Sequence, residues 1–169
     1  MSRVVIYNSS WGTFGGGEKY ICALADSIST LPKCDVTLLV DNPEITADQL
    51  RRFYGISLEM VSVENVCKGD VRSIMSSADL GIVTSNVKSL RTPARKNIYI
   101  LQIPYYKVTA GSIATKIIVG NVKEGVKDVM RSFLLRDARS SDLVLVYSQF
   151  TKETLVRYHD HTPQFSLPG

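Results

Sequence analysis

The chain has 169 residues, of which 44% are hydrophobic and 21% charged, with a net charge of +4. This length is typical of one domain, and the near-average composition excludes a disordered, collagen-like or coiled-coil protein. No stretch approaches the roughly 20 apolar residues that span a bilayer, and the N-terminal segment turns polar too early for a signal peptide. We therefore expect a cytoplasmic protein with its own hydrophobic core.

The cysteines and histidines give no pattern of a metal site. Three cysteines, Cys22, Cys34 and Cys67, are an odd number at spacings that fit no zinc template. The two histidines, His159 and His161, have no acidic or cysteine neighbours at ligand spacing. We expect reduced thiols, with Cys22 buried in a helix, surface histidines and no bound metal.

Short apolar runs alternate with segments of helical periodicity along the chain. The predicted strands are 3–8, 35–41, 58–63, 79–84, 97–103 and 142–147. The predicted helices are one from Gly17 to the stop at Pro32, 45–54 with Gly55 as its C-cap, 70–77, 121–139, and one capped by Ser148 or Thr151 that ends near His159. In the long helix the residues expected on one buried face are Val122, Val126, Val129, Met130, Phe133 and Leu134.

This alternation predicts an α/β protein with a Rossmann-like, doubly wound, mostly parallel sheet of about six or seven strands. Several strands are nearly unbroken runs of Val, Ile and Leu, as expected for strands covered by helices on both faces. Ligands of such sheets bind beyond the carboxyl ends of the strands. The segments expected at the site are therefore 9–19, 41–43, 85–96, 104–112 and 148–151.

The loop after the first strand has the strongest chemical signal. Gly15, Gly16 and Gly17 precede Glu18 at the start of the first helix. Consecutive glycines let backbone N–H groups approach a ligand, and the helix N-terminus adds free donors and a partial positive charge. The loop matches neither the dinucleotide fingerprint nor a P-loop. It predicts a site for a phosphate or a sugar hydroxyl; the alternative is a tight turn in which Glu18 complements the helix dipole.

Two segments resemble a known family. The run from Phe14 to Tyr20, followed by a helix and the strand at 34–40, looks like the opening of family 4 retaining glycosyltransferases. The segment at 147–155, with Ser148-Gln-Phe-Thr-Lys-Glu153, resembles the strand-to-helix segment that closes the first domain of that family. The tail at 162–169 is similar to its short strand and linker.

The resemblance implies a GT-B enzyme, in which two Rossmann-like domains enclose the active site. Residues 1–169 would be the N-terminal domain, which binds a glycan or lipid-linked acceptor. The donor, a nucleotide sugar, would bind mainly to a C-terminal domain that lies beyond Gly169. No further cofactor is implied, and no catalytic residue is assigned. The expected activity is hexosyl transfer with retention, and we expect none from this chain by itself.

Further site residues follow the later predicted strands. Many relatives have a histidine near the reacting sugar where this chain has Gln102, which cannot carry the same charge. Tyr105 and Tyr106, like Trp11, are candidates for packing on a sugar ring, although burial of one Tyr in the core is equally compatible. Thr84, Ser85 and Asn86 offer hydrogen bonds or form a simple turn. The candidate substrate-binding residues are Gly15, Gly16, Gly17, Glu18, Ser85, Asn86, Gln102, Tyr105 and Tyr106.

The charge is uneven along the chain. Residues 1–86 carry a net −3 and residues 87–169 a net +7. Lys123, Lys127 and Arg131 recur every four residues beside the predicted buried face of the long helix. This stripe indicates either a solvated basic face or peripheral contact with anionic lipid at the inner side of a membrane. No recognition motif for nucleic acid occurs.

Two other functions remain open on the sequence alone. Asp41 follows the second strand, 24 residues after Gly17, near the spacing of a ribose-binding acid. The chain is then a stand-alone module that binds a nucleotide or another small ligand. The third interpretation is a non-catalytic interaction domain that keeps the fold and leaves the cleft unused.

Overall fold

The computed structural model of the chain describes residues 1–67, 69–84, 92–102, 109–129, 141–159 and 165–166. The strands in these residues are β1 (Ser2–Asn8), β2 (Cys34–Val40), β3 (Val61–Asn65), β4 (Leu80–Thr84), β5 (Lys96–Leu101), β6 (Leu143–Val146) and β7 (Phe165–Ser166). The helices are α1 (Gly16–Ser29), α2 (Ala47–Tyr54), α3 (Val71–Ser76), α4 (Ala110–Ile118), α5 (122–129) and α6 (Gln149–His159).

The strands form one sheet in the order β3-β2-β1-β4-β5-β6-β7 within the described residues. The pairs β1–β2, β1–β4, β2–β3 and β6–β7 are parallel. The chain runs from β1 through β2 to β3 and then returns past β1 to β4. Because connections between parallel strands are right-handed, this reversal places α3 on the face opposite α1 and α2. The predicted doubly wound α/β fold is confirmed.

Chain contacts divide the protein into two compact units. The first holds Met1–Thr84 and Thr92–Ile98, and the second holds the described residues from Tyr99 onward. The core of the first unit is the Val, Ile and Leu side chains of β1, β2 and β4, and α1 packs against β1, β2 and β3. These are the runs that the sequence predicted to be buried on both faces.

Two predicted helix caps are confirmed, Gly55 of α2 and Ser148 of α6, whereas α2 begins at Ala47 rather than at the predicted residue 45. α2 begins with a capping box, in which the Thr46 hydroxyl accepts from the Gln49 N–H and the Gln49 side chain accepts from the Thr46 N–H. It ends at Gly55, whose φ of 67° lies in the left-handed region that glycine favours. Ser148 caps α6 by accepting from the Thr151 N–H at 3.1 Å.

The third strand begins later than predicted. Leu58 has a φ of 49° and its N–H donates to the Asp26 carboxylate of α1 at 2.9 Å. A residue held this way cannot join a parallel ladder. The strand therefore begins at Val61 rather than at 58, although Leu58 is fully buried.

In the second unit, the buried face predicted for the long helix is wrong where the structure describes it. Val122, Val126 and Val129 are exposed, whereas Gly125 and Asp128 are buried. A Cβ on Gly125 would lie 3.1 Å from Cγ1 of Ile117, so the missing side chain admits the preceding helix. The other three residues of that predicted face, Met130, Phe133 and Leu134, lie outside the described residues.

The preceding helix, α4, was not predicted. Thr109 caps it by accepting from the Ser112 N–H at 3.2 Å, and the Ser112 hydroxyl lies within hydrogen-bonding distance of the Thr109 N–H. Lys116 of α4 forms an ion pair with the Asp128 carboxylate of α5. This pair, together with the close approach at Gly125, determines which side of α5 faces inward.

Candidate functional site

The order of strands places a crevice at the carboxyl ends of β1 and β4. The chain runs outward from β1 in one direction through β2 and in the other through β4, and ligands of such sheets bind where the order reverses. Asn8 and Thr84 are the last residues of these two strands and are partners in the register. Both side chains are buried.

The two side chains at this position differ in their hydrogen bonding. Asn8 is used by its own loop: its amide nitrogen donates to the Ser10 carbonyl at 2.8 Å, and its amide oxygen accepts from the Ser10 N–H. The Thr84 hydroxyl has no hydrogen-bond partner in the described part of the chain, and the residue is only 1% exposed. A buried hydroxyl left without a partner costs about 1–3 kcal/mol, which a ligand group can offset.

The glycine-rich loop follows β1 directly. Gly12 has a φ of 99°, and a Cβ there would meet the Asn42 amide nitrogen at 3.0 Å, so the turn requires glycine. Gly15 is the N-cap of α1 and has no side chain to cap the helix. A Cβ on Gly16 would have no other heavy atom within 4 Å. The space in front of the first turn of α1, which includes Gly17, is therefore open to a ligand.

The Glu18 carboxylate accepts hydrogen bonds from this loop and from α2. Glu18 is 3% exposed; one of its oxygens accepts from the Thr13 N–H at 2.9 Å and from the Thr13 hydroxyl. Its other oxygen accepts from the Tyr54 hydroxyl at 3.0 Å. Burial raises the pKa of Tyr54 above its usual value, and the bond to Glu18 raises it further. Glu18 thus has partners in the chain itself, and it ties the loop to α2.

Two residues that the sequence suggested for ligands also have partners in the chain. The Trp11 ring is buried and its indole N–H donates to the Leu39 carbonyl at 3.1 Å, so Trp11 belongs to the core. Asp41 accepts from the Tyr7 hydroxyl at 3.1 Å. Burial raises the pKa of Tyr7, and the Asp41 charge adds to the rise.

In the second unit, Gln102 lies directly after β5, which ends at Leu101 and not at the predicted residue 103. It is half-buried, and its amide nitrogen donates to the Tyr147 hydroxyl at 3.2 Å. Its neighbour Tyr147 directly follows β6, so side chains from the ends of two strands meet here. The candidates Ser85, Asn86, Tyr105 and Tyr106 lie outside the described residues, as does His161.

The sequence reasoning missed Tyr54 and Asn8 as parts of the site, and it gave Thr13 no role within the expected segment 9–19. Asn8 had a signal, because a polar residue that ends an apolar strand is positioned at the ligand edge of the sheet. Tyr54 had none, since its partner Glu18 lies 36 residues away. Long-range pairs of this kind depend on how α2 packs, which periodicity does not report.

The described residues also bear on metal binding and on membrane insertion. No group of three or more His, Cys, Asp or Glu side chains that could hold a metal ion occurs among the described residues. All three cysteines are free, and Cys22 is buried, as predicted. Within the described ranges no helix is both long enough and apolar enough to cross a membrane.

Comparison with known proteins adds no family to this description. Neither the protein-family models nor the curated proteins give a match to the chain. The resemblance to a glycosyltransferase family therefore stays a prediction from the two sequence segments that carry it.

Proposed function

We propose that this chain is the acceptor-side domain of a GT-B glycosyltransferase, which transfers a sugar from a nucleotide-sugar donor to a glycan or lipid-linked acceptor. One observation carries the proposal: the uncapped N-terminus of α1 opens beside the strand ends where Thr84 has a buried hydroxyl without a partner. The two sequence segments that resemble the family support it independently.

The first turn of α1 suits a phosphate or a sugar hydroxyl. Its N–H groups point out of the helix, the helix dipole favours negative charge there, and no side chain competes for them. Glu18 acts in this proposal as a positioning residue, because it fixes Thr13 and leaves the glycine backbone to contact the ligand.

The experiment uses the product of the complete gene and measures sugar transfer from UDP- and GDP-sugars. Gly16→Val places a side chain in front of the helix, where an added Cβ meets no neighbouring side chain or loop within 4 Å. We expect it to lower kcat/KM at least tenfold while the free energy of unfolding stays unchanged. Gly69→Val is the matched control, because Gly69 also faces open space, and we expect no effect on transfer.

Binding by the present chain separates this proposal from its main competitor. Calorimetric titration with UDP- and GDP-sugars should give no tight complex, because the donor site lies in a second domain. Micromolar binding by this chain alone would instead support the nucleotide-binding module. A Gly16→Val variant with full biological function would support the interaction domain.

A lipid-linked acceptor fits the surface of α4 and α5. Ile118 and Val119 are 82% and 70% exposed at the turn between these helices, beside the exposed Ile117, Val122 and Val126. The Lys123 side chain, also exposed, has no ion-pair partner in the described ranges. We propose that this surface contacts anionic lipid, where an apolar tip and a cation are both favourable.

Vesicle sedimentation tests the membrane contact with phosphatidylglycerol and with phosphatidylcholine vesicles. The double variant Ile118→Ser, Val119→Ser should lose binding to the anionic vesicles. Met60→Ser removes an equally exposed apolar side chain of the first unit and should leave binding unchanged. Equal loss in both variants, or no binding by the wild type, would overturn the membrane contact.

A further inference from the structure

A shallow pocket lies on the first unit, beside the glycine-rich loop. It has a volume of about 300 Å³ and is lined by Phe14, Gln49, Arg52 and Phe53. We propose that this pocket binds an aromatic ring that carries an anionic substituent. The pocket uses α2 and the side chain of Phe14 rather than the N-terminus of α1, so the inference does not rest on the proposed function.

The walls of the pocket are aromatic. The ring centroids of Phe14 and Phe53 lie 4.6 Å apart with their planes tilted by 46°, and Phe53 meets Tyr54 edge-on at 5.1 Å. Phe53 is nevertheless 60% exposed, so its ring has an open side. A further ring can pack on this open side in the offset-stacked or edge-to-face geometry that aromatic pairs prefer.

Both walls are held in place before a ligand arrives. Phe14 has a φ of 49°, a backbone conformation that is rare for a side chain of this size, and its neighbour Thr13 is bound by Glu18. Glu18 also accepts from Tyr54, the residue next to Phe53. One buried carboxylate therefore fixes the loop and the helix that carry the two rings. These two segments consequently lose little conformational entropy when a ligand binds.

The polar rim of the pocket consists of hydrogen-bond donors. Arg51 is occupied by the Asp48 carboxylate and by the carbonyl oxygens of Ser57 and Leu58. Arg52, one residue later, forms no hydrogen bond or ion pair with the described residues. Its guanidinium is the charged group of the pocket, and it favours an anion.

Gln49 also makes the rim of the pocket favour an anion. Its side-chain oxygen accepts from the Thr46 N–H at 2.9 Å, as part of the capping box. Its side-chain amide nitrogen therefore remains a hydrogen-bond donor for a ligand in the pocket. An amide donor and a guanidinium beside two phenyl rings suit a carboxylate, sulfonate or phosphate attached to an aryl group.

The probe for the experiment is 1-naphthalenesulfonate, which carries a fixed negative charge. It is titrated into the 15N-labelled chain while amide chemical shifts are followed. We expect saturable shifts confined to residues around Phe14 and 47–55. Two half-probes separate the contributions: 1-naphthol should bind the same residues more weakly, and sulfate alone should shift none of the residues 47–55. Shifts scattered over the surface would overturn the proposal.

Two exposed side chains and their matched controls test the walls and the charge. Phe53→Ala should weaken binding about tenfold, whereas Phe150→Ala, at 61% exposure on α6, should not. Arg52→Gln should weaken naphthalenesulfonate about threefold and leave 1-naphthol unchanged, whereas Arg72→Gln should alter neither. Equal effects of a variant and its control would show adventitious surface binding and overturn the proposal.

Discussion

The glycine-rich loop and the helix pair α4–α5 each bury a carboxylate, but the two regions differ in how that carboxylate is paired and in what surrounds it. In the first unit a buried carboxylate, Glu18, accepts from three groups of the chain, and the nearby Cys22 and Tyr54 are buried. In the second unit the buried Asp128 is paired with Lys116, while valines of the same helix face solvent.

This difference shows what each region is built to do. Around the loop, polar contacts fix the backbone and leave a helix N-terminus and an aromatic pocket accessible. In α4–α5, the polar pair holds the two helices together and the apolar surface is left outward. We therefore expect the first region to lose stability when polar groups are removed, and the second to be tolerant of changes on its apolar face.

The largest effect is expected for Glu18→Ala. It leaves the buried Tyr54 hydroxyl and the N–H and hydroxyl of the exposed Thr13 without their shared acceptor, which costs about 3 kcal/mol of unfolding free energy. Urea denaturation measures it. Tyr54→Phe removes one of these bonds and should cost about 1 kcal/mol. A loss below 1 kcal/mol for Glu18→Ala would show that the loop does not depend on this carboxylate.

Alkaline pH should destabilise the first unit next most strongly. Burial raises the pKa of the Cys22 thiol from 9.0 to about 12, and the Glu18 charge adds to the rise. Above pH 9 the thiol ionises in the unfolded chain and stays protonated in the folded one, so stability falls as pH rises. We expect a loss of about 1 kcal/mol between pH 8.5 and 10.

The control for this pH effect is Cys22→Ala, which should flatten the decline below pH 10. Tyr7 and Tyr54 also have raised pKa values and leave a residual slope at higher pH. An unchanged decline in Cys22→Ala would assign the effect to other groups.

A smaller effect is expected for Asp128→Ala in the second unit. The Asp128 side chain is 6% exposed but Lys116 is 40% exposed, so the lysine left behind can reach water. We expect a loss of about 1 kcal/mol in urea denaturation. Glu124→Gln breaks a neighbouring pair with Lys127 at the surface and should change stability by less than about 0.5 kcal/mol.

The smallest effect is expected for Val122→Ala and Val126→Ala. Both side chains are more than half exposed, so each change should stay within about 0.5 kcal/mol. The same substitution at the fully buried Val36 of β2 should cost about 2 kcal/mol. A loss at Val122 or Val126 as large as that at Val36 would mean that these valines are packed in solution, and the contrast between the two regions would fail.

The sequence predicted the first unit well because its signals are local. Buried parallel strands are continuous apolar runs, and Gly55 marks the end of α2 by its own chemistry. The loop after β1 was found because consecutive glycines are rare before a helix. The role of Glu18 was not found, since it depends on Tyr54 in another helix.

The second unit shows where such reasoning fails. The stripe of Val122, Val126 and Val129 predicted a buried face, but a helix faces inward on the side that its neighbour can approach. Gly125 leaves room for Ile117, and Asp128 pairs with Lys116, so these contacts determine which face of α5 packs against α4. The capping pair Thr109 and Ser112 was the available signal for α4, although serine replaces the more usual Glu or Gln.

The bond between Glu18 and Tyr54 has a consequence for the order in which the protein forms. Glu18, which binds the glycine-rich loop, and Tyr54, which donates to it, are separated by 36 residues of sequence. During synthesis, Thr13 and Glu18 leave the ribosome long before the tyrosine that completes their network. The loop can reach its final conformation only after α2 has been made and has docked, so this loop forms late although it is encoded first.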